Sequence, residues 1–136
     1  MTAKKHSTKP IEESSSTDYW IKAREFYAAM EQCYSENQWN AVGLNAVHAL
    51  ISAGDALLAK FAGIRNTCEN HRRAADVLIQ HIPHKDVDHY ANHFRKVLVL
   101  KNVIEYEQRL VTRKEAEEMI KHTDRFFDWA KGLLAS

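Results

Sequence analysis

The spacing of apolar residues constrains this chain most, because they return every three or four positions from about residue 18 to the end. Such spacing is typical of amphipathic helices, whereas a half-buried strand alternates with a period of two. No segment of strand length alternates in that way, so we predict no sheet. The predicted fold class is all-α.

Five helices follow from the pattern, over about 18–35, 38–62, 68–81, 85–108 and from Thr112 onwards. Gly63 is the expected stop of the second helix, Pro83 that of the third, and Thr112 with Glu115 forms a capping box. Short links make neighbouring helices antiparallel. We therefore expect an antiparallel up-down four-helix bundle plus one shorter helix over residues 17–136, preceded by a disordered arm, residues 1–16.

Composition narrows the class of protein further. The 136 residues suggest one domain, and a net charge of +1 argues against a large nucleic-acid footprint. Two cysteines are too few for a disulfide framework, and no stretch reads as a signal peptide or a membrane span. We expect a cytoplasmic protein with no membrane association, no cofactor and no metal.

The fourth predicted helix carries an apolar run that a charge interrupts. At about 100° per residue, Lys101 and Glu105 fall within its apolar stripe, as a structural ion pair or as part of an active centre. The run is also apolar all round and must be covered on more than one side. Either the monomer covers it, or a symmetric homodimer buries Val99, Leu100 and Val103.

The second predicted helix carries a polar line among its apolar residues, formed by Asn45, His48, Ser52 and Asp55. This line either faces solvent or lines a cleft opposite Lys101, where buried charges would need partners. Gly43 and Gly54 lie in the same helix, and each costs about 1 kcal/mol relative to Ala. We expect them to permit close approach by the backbone of another helix.

Four histidines cluster near the corner between the third and fourth helices: His81, His84, His89 and His93. His89 and His93 share a helix face as zinc-binding pairs do. The residues between them lack the glutamate of the HExxH motif, and no third ligand is evident. We interpret these histidines as a solvated helix surface.

The order of features resembles the HEPN domain, the higher eukaryotes and prokaryotes nucleotide-binding family of helical bundles. The resemblance covers about residues 18–134: an alanine-rich second helix, a loop with His71, a basic-Asn-x-x-x-aromatic motif, and Thr112 opening a last helix that contains Phe126 and Phe127. It implies dimers with a shared cleft. Many such domains are metal-independent endoribonucleases, often toxins paired with a small nucleotidyltransferase.

The family motif is an Arg, a polar residue, three to five further residues and a His. Carried onto this chain, it falls on Lys101, Asn102 and Tyr106, and two of the three positions depart from it. Tyrosine, with a reference pKa of about 10, is a poor proton acceptor, and lysine lacks the bidentate fork of arginine. We therefore expect a catalytically silent module that binds RNA, nucleotide or a partner protein, with an active endoribonuclease toxin as the alternative.

The resemblance and the polar line together give the predicted binding residues: Lys101, Asn102, Glu105, Tyr106, Asp55 and His48. Among them, Lys101 would contact phosphate, Asn102 would hydrogen-bond the ligand or nearby backbone, and Tyr106 would stack or donate. The implied partner protein is a nucleotidyltransferase.

Overall fold

The computed structural model describes residues 7–136, in which six helices and two short strands occur. In chain order they are β1 (Thr8–Pro10), α1 (Ser15–Ser35), α2 (Trp39–Ala62), β2 (Ile64–Asn66), α3 (His71–His81), α4 (Val87–Leu98), α5 (Lys101–Tyr106) and α6 (Arg113–Ala135). The all-α class is confirmed. Helix α1 packs on α2, α6 packs on α2 and α4, and α3 packs on α4.

Helix α2 is the centre of the core. Fourteen of its 24 residues are buried, and it contacts the five other helices and β2. A Cβ atom added to Gly43 would lie 2.7 Å from Cδ1 of Ile104, and one added to Gly54 would lie 3.3 Å from Cδ2 of Leu78. Side chains from other helices therefore pack against both glycines, while the predicted close approach of another helix backbone stays a prediction.

Local residues end and begin the helices where capping chemistry predicts. Gly63 adopts the left-handed conformation (φ 65°) and its N–H bonds back to the last turn of α2. The hydroxyl of Thr112 accepts the N–H of Glu115 at 3.1 Å, while the Glu115 carboxylate accepts the N–H of Thr112 at 3.0 Å. The predicted stop at Gly63 and the predicted capping box are both confirmed.

The prediction that the chain has no sheet is wrong. Strand β1 pairs antiparallel with β2, with Thr8 opposite Asn66, Lys9 opposite Arg65 and Pro10 opposite Ile64. Three residues are too few for alternation to be visible in the sequence. The pairing also corrects the predicted arm for residues 8–10, while residues 1–6 of that arm lie outside the described part of the chain.

The predicted fourth helix is two helices, which corrects a single element over 85–108. Helix α4 ends at Leu98, the N–H of Leu100 bonds to the carbonyl of Val97 at 3.1 Å, and α5 starts at Lys101. This tighter i to i−3 turn redirects the chain, so that Leu100 and Ile104 pack on the core. Gly43 makes room for Ile104, so the break follows from tertiary packing.

One helix among residues 7–136, α2, is long and apolar enough to cross a membrane by length and composition alone. Within its most apolar window, 72% is buried inside the protein. A core helix passes the same test, so this feature does not indicate a span.

Candidate functional site

A small cavity of about 40 Å³ lies where α2, α4, α5 and the segment from β2 to α3 meet. Its polar and charged lining comes from Asp55, Asn66, Cys68, Glu69 and Lys101. Asp55 and Lys101 thus line the same space, as the cleft interpretation of the polar line requires. A cavity of this volume holds a few water molecules, so any larger ligand must bind outside it.

Asp55 is the buried charged group of this cavity, with 3% of its surface exposed. Its Oδ1 accepts the backbone N–H of Asn66 at 3.0 Å. Burial raises the pKa of the Asp55 carboxyl to about 6, and the Asn66 hydrogen bond and the nearby Arg65 charge oppose that rise. The carboxylate is therefore ionised at neutral pH but gains a proton in mildly acidic solution.

Other predicted site residues lie away from the cavity. His48 is half-buried with its ring 5.3 Å from that of Phe26. Asn102 and Glu105 are exposed, and Tyr106 is 80% exposed. Among the ion pairs of residues 7–136, none joins Lys101 to Glu105. Lys101 is half-buried, so the motif assigned to α5 contributes this one side chain to the cavity.

The segment from β2 to α3 carries a fuller version of the same motif. Arg65 and Asn66 are followed by four residues and then by His71, so all three motif positions match. Arg65 and Asn66 end β2, and His71 is the first residue of α3. The spacing in the sequence is a sufficient signal for this segment, and the placement of the motif on Lys101, Asn102 and Tyr106 stays a prediction.

Side chains within the segment fix its backbone. The Asn66 amide donates to the carbonyl of Ala74 at 2.9 Å, and its Oδ1 accepts the N–H of Cys68 at 3.0 Å. Asn70 caps α3 by accepting the N–H of Arg72 at 2.9 Å. Three of the seven residues from Arg65 to His71, namely Asn66, Cys68 and Asn70, thus form hydrogen bonds that connect the segment within itself or to α3.

The side chain of Arg65, on strand β2, contains a buried nitrogen. Its Nε is buried and has no hydrogen-bond partner in the part of the chain that the structure describes. A buried donor without a partner costs about 1 to 3 kcal/mol, so such groups call for an explanation such as a ligand. A guanidinium in this state is suited to bind a phosphate group.

Of the four clustered histidines, His89 is exposed but His93 is buried, so the interpretation of a solvated helix surface is wrong for His93. His81 lies 2.9 Å from the carbonyl of Val77, His84 accepts the indole N–H of Trp129 at 3.4 Å, and His93 faces His122. Over residues 7–136, no group of three His, Cys, Asp or Glu side chains is arranged to hold a metal ion.

Comparison with known proteins identifies a family for this chain. No curated protein and no solved structure is significantly similar to the chain. The model of the HEPN domain matches residues 16–133, which is nearly the whole sequence. On that match, the chain belongs to the HEPN domain family, whose members are helical domains of the nucleotide-binding or ribonuclease type.

Proposed function

We propose that this protein is a metal-independent endoribonuclease whose reacting groups are Arg65 and His71. One observation carries the proposal: the complete family motif occupies a single segment, and its arginine has a buried nitrogen without a partner. Asn66, the polar residue of the motif, ties the strand to α3 through Ala74. The motif is therefore present with a fixed backbone between its two reacting side chains.

The chemistry that these residues support is transesterification within RNA. His71 takes the proton of a ribose 2′-hydroxyl, whose oxygen attacks the adjacent phosphorus, and the bond to the 5′-oxygen of the next nucleotide breaks. That oxygen receives a proton, and the products end in a 2′,3′-cyclic phosphate and a 5′-hydroxyl. Imidazole suits the proton transfer because its unperturbed pKa is about 6.5. Arg65 stabilises the extra negative charge on phosphorus in the transition state.

The expectation of a catalytically silent module depends on Lys101 and Tyr106 standing in for arginine and histidine. Tyr106 is 80% exposed at the end of α5, and Lys101 lies beside the cavity. With Arg65 and His71 in the motif positions, the fact that tyrosine is a poor proton acceptor no longer argues against catalysis. Lys101 then supplies positive charge near the segment without taking part in proton transfer.

A homodimer through Val99, Leu100 and Val103, at the junction of α4 and α5, would complete the site. Val99 is 52% exposed between α4 and α5, and Lys101, two residues on, lines the cavity next to Asn66. A two-fold axis at this surface would bring the two copies of the segment toward one shared cleft. The nucleotidyltransferase partner and the cytoplasmic location stay predictions.

The test is cleavage of a single-stranded RNA in the presence of EDTA. Arg65→Ala and His71→Ala should each reduce the rate by about a hundredfold or more. Matched controls are Arg24→Ala, which removes an exposed charge on α1, and Tyr106→Phe; both should cleave at the wild-type rate. Binding of RNA without cleavage would instead support the silent module. Equal rates in His71→Ala and wild type would contradict the assignment of His71.

A further inference from the structure

We propose that Asp55 is the positioning residue of the RNA-cleaving segment, holding Asn66 and Arg65 in place from the core helix. This inference rests on the proposed function and names a residue that the motif does not contain. It starts from a contact between α2 and β2, because Oδ1 of Asp55 accepts the backbone N–H of Asn66 at 3.0 Å. Asn66 directly follows Arg65, so this contact fixes the backbone that carries the guanidinium.

Asp55 contacts this segment from α2, the helix at the centre of the core. It lies in α2, where its neighbours Gly54 and Ala56 are buried, and it is itself 3% exposed. A side chain locked by core packing transmits its position to the group that it binds. Asn66 makes two further hydrogen bonds, to Ala74 and Cys68, so α2, β2 and α3 are joined at this one residue.

The charge of Asp55 matters as well as its shape. The titratable groups around it are Arg65 on β2, Cys68 and Glu69 in the following turn, and Lys101 on α5. From α3 and α4 the cavity is lined by apolar side chains, Ala74, Leu78, Phe94 and Leu98. The nearby Arg65 charge favours the ionised carboxylate, so Asp55 places a negative charge in the neighbourhood of the guanidinium.

Keeping this carboxylate ionised destabilises the folded protein. Burial raises its pKa to about 6, so the free energy of unfolding falls as pH rises from about 4 to about 6 and Asp55 loses its proton. Asp55→Asn should therefore keep or raise the melting temperature at pH 7.5 while it weakens cleavage.

The experiment compares wild type, Asp55→Asn and the matched control Ser52→Ala, a buried polar residue on the same helix. We expect Asp55→Asn to lower kcat at least tenfold with little change in KM, because the asparagine keeps the shape but not the charge. Ser52→Ala should keep the wild-type kcat. Asp55→Asn with wild-type kcat, while Arg65→Ala is inactive, would overturn the role of Asp55 alone.

A second measurement holds even if Asp55→Asn does not fold. In wild-type protein, the NMR shift of the Asn66 amide proton should titrate near pH 6 as its carboxylate partner gains a proton. An Asn66 amide that does not titrate there would overturn the inference. Wild-type protein that leaves RNA intact would overturn both this inference and the proposed function.

Discussion

The imidazole rings of His93 and His122 face each other across the contact between α4 and α6, with their Nδ1 atoms 2.8 Å apart. At that distance one nitrogen donates and the other accepts, so the two rings cannot both be protonated. His93 is 7% exposed, and its Nε2 is buried without a partner among residues 7–136. Burial, followed by the effect of His122, lowers the pKa of His93 to about 4.

This pair predicts a loss of stability in mild acid. Burial and Lys96 also lower the pKa of His122, with Glu118 opposing them, and Lys121 and Arg125 add further positive charge. Between about pH 6.5 and pH 4 the unfolded chain binds protons that the folded pair does not, so the free energy of unfolding falls as pH falls. His93 alone accounts for up to about 3 kcal/mol of this change.

Urea unfolding at pH 7.5 and pH 4.5 measures this effect in wild type, His93→Asn and His89→Asn. His89 is exposed on the same helix, but its ring lies 5.0 Å from that of His93 and its charge helps to lower the pKa of His93. His93→Asn should lose less stability than wild type between the two pH values, and His89→Asn should lie between the two. Asp55 changes stability in the opposite sense but is present in all three proteins. The same pH dependence in His93→Asn and wild type would count against the pair.

The capping box of α6 predicts the effect of Thr112→Ala. The Thr112 hydroxyl satisfies the N–H of Glu115, and Arg109 binds the Glu115 carboxylate at 2.9 and 3.1 Å. Removing the hydroxyl should lower the free energy of unfolding by about 1 kcal/mol. Thr17→Ala is the control, because Thr17 is exposed on α1 and is not a capping residue. Equal losses in both variants would show that the cap contributes nothing specific.

The proposed dimer predicts that Val99→Glu yields a folded monomer. Val99 is 52% exposed, so a charge there should leave the core intact while it disrupts an apolar contact between two copies. Sedimentation should show the smaller species, and cleavage should fall at least tenfold because the proposed dimer shares one cleft. Ile21→Glu is the control, since Ile21 is 40% exposed on α1, far along the chain from α5. A dimeric Val99→Glu protein would contradict this assignment of the interface.

Features set by local chemistry were predictable from the sequence. Gly63 and Thr112 mark helix ends through contacts within a few residues. The two glycines of α2 indicate close packing because a glycine inside a helix leaves space where other residues have a side chain. The break between α4 and α5 was not predictable in this way. It depends on Ile104 reaching Gly43, about sixty residues earlier in the chain, and the residues at the break contain neither proline nor glycine.

The candidate site was predictable in part. The sequence leaves open whether Asp55 faces solvent or a cleft opposite Lys101, and in the structure both residues line one cavity. The pairing of Asp55 with Asn66 was not visible, because a backbone N–H leaves no trace in the sequence. Arg65 and His71 lie on a short strand and at a helix start, where periodicity carries no information, so only their spacing identifies them.

The most direct test uses two RNA oligonucleotides that differ at one ribose, incubated with wild-type protein in EDTA. One is all ribose, and the other has a 2′-deoxyribose on the 5′ side of the bond that is cleaved. The account predicts that the all-ribose strand yields a product ending in a 2′,3′-cyclic phosphate by mass spectrometry, while the deoxy position stays intact. Cleavage at the deoxy position, or an intact all-ribose strand, would contradict RNA cleavage by Arg65 and His71.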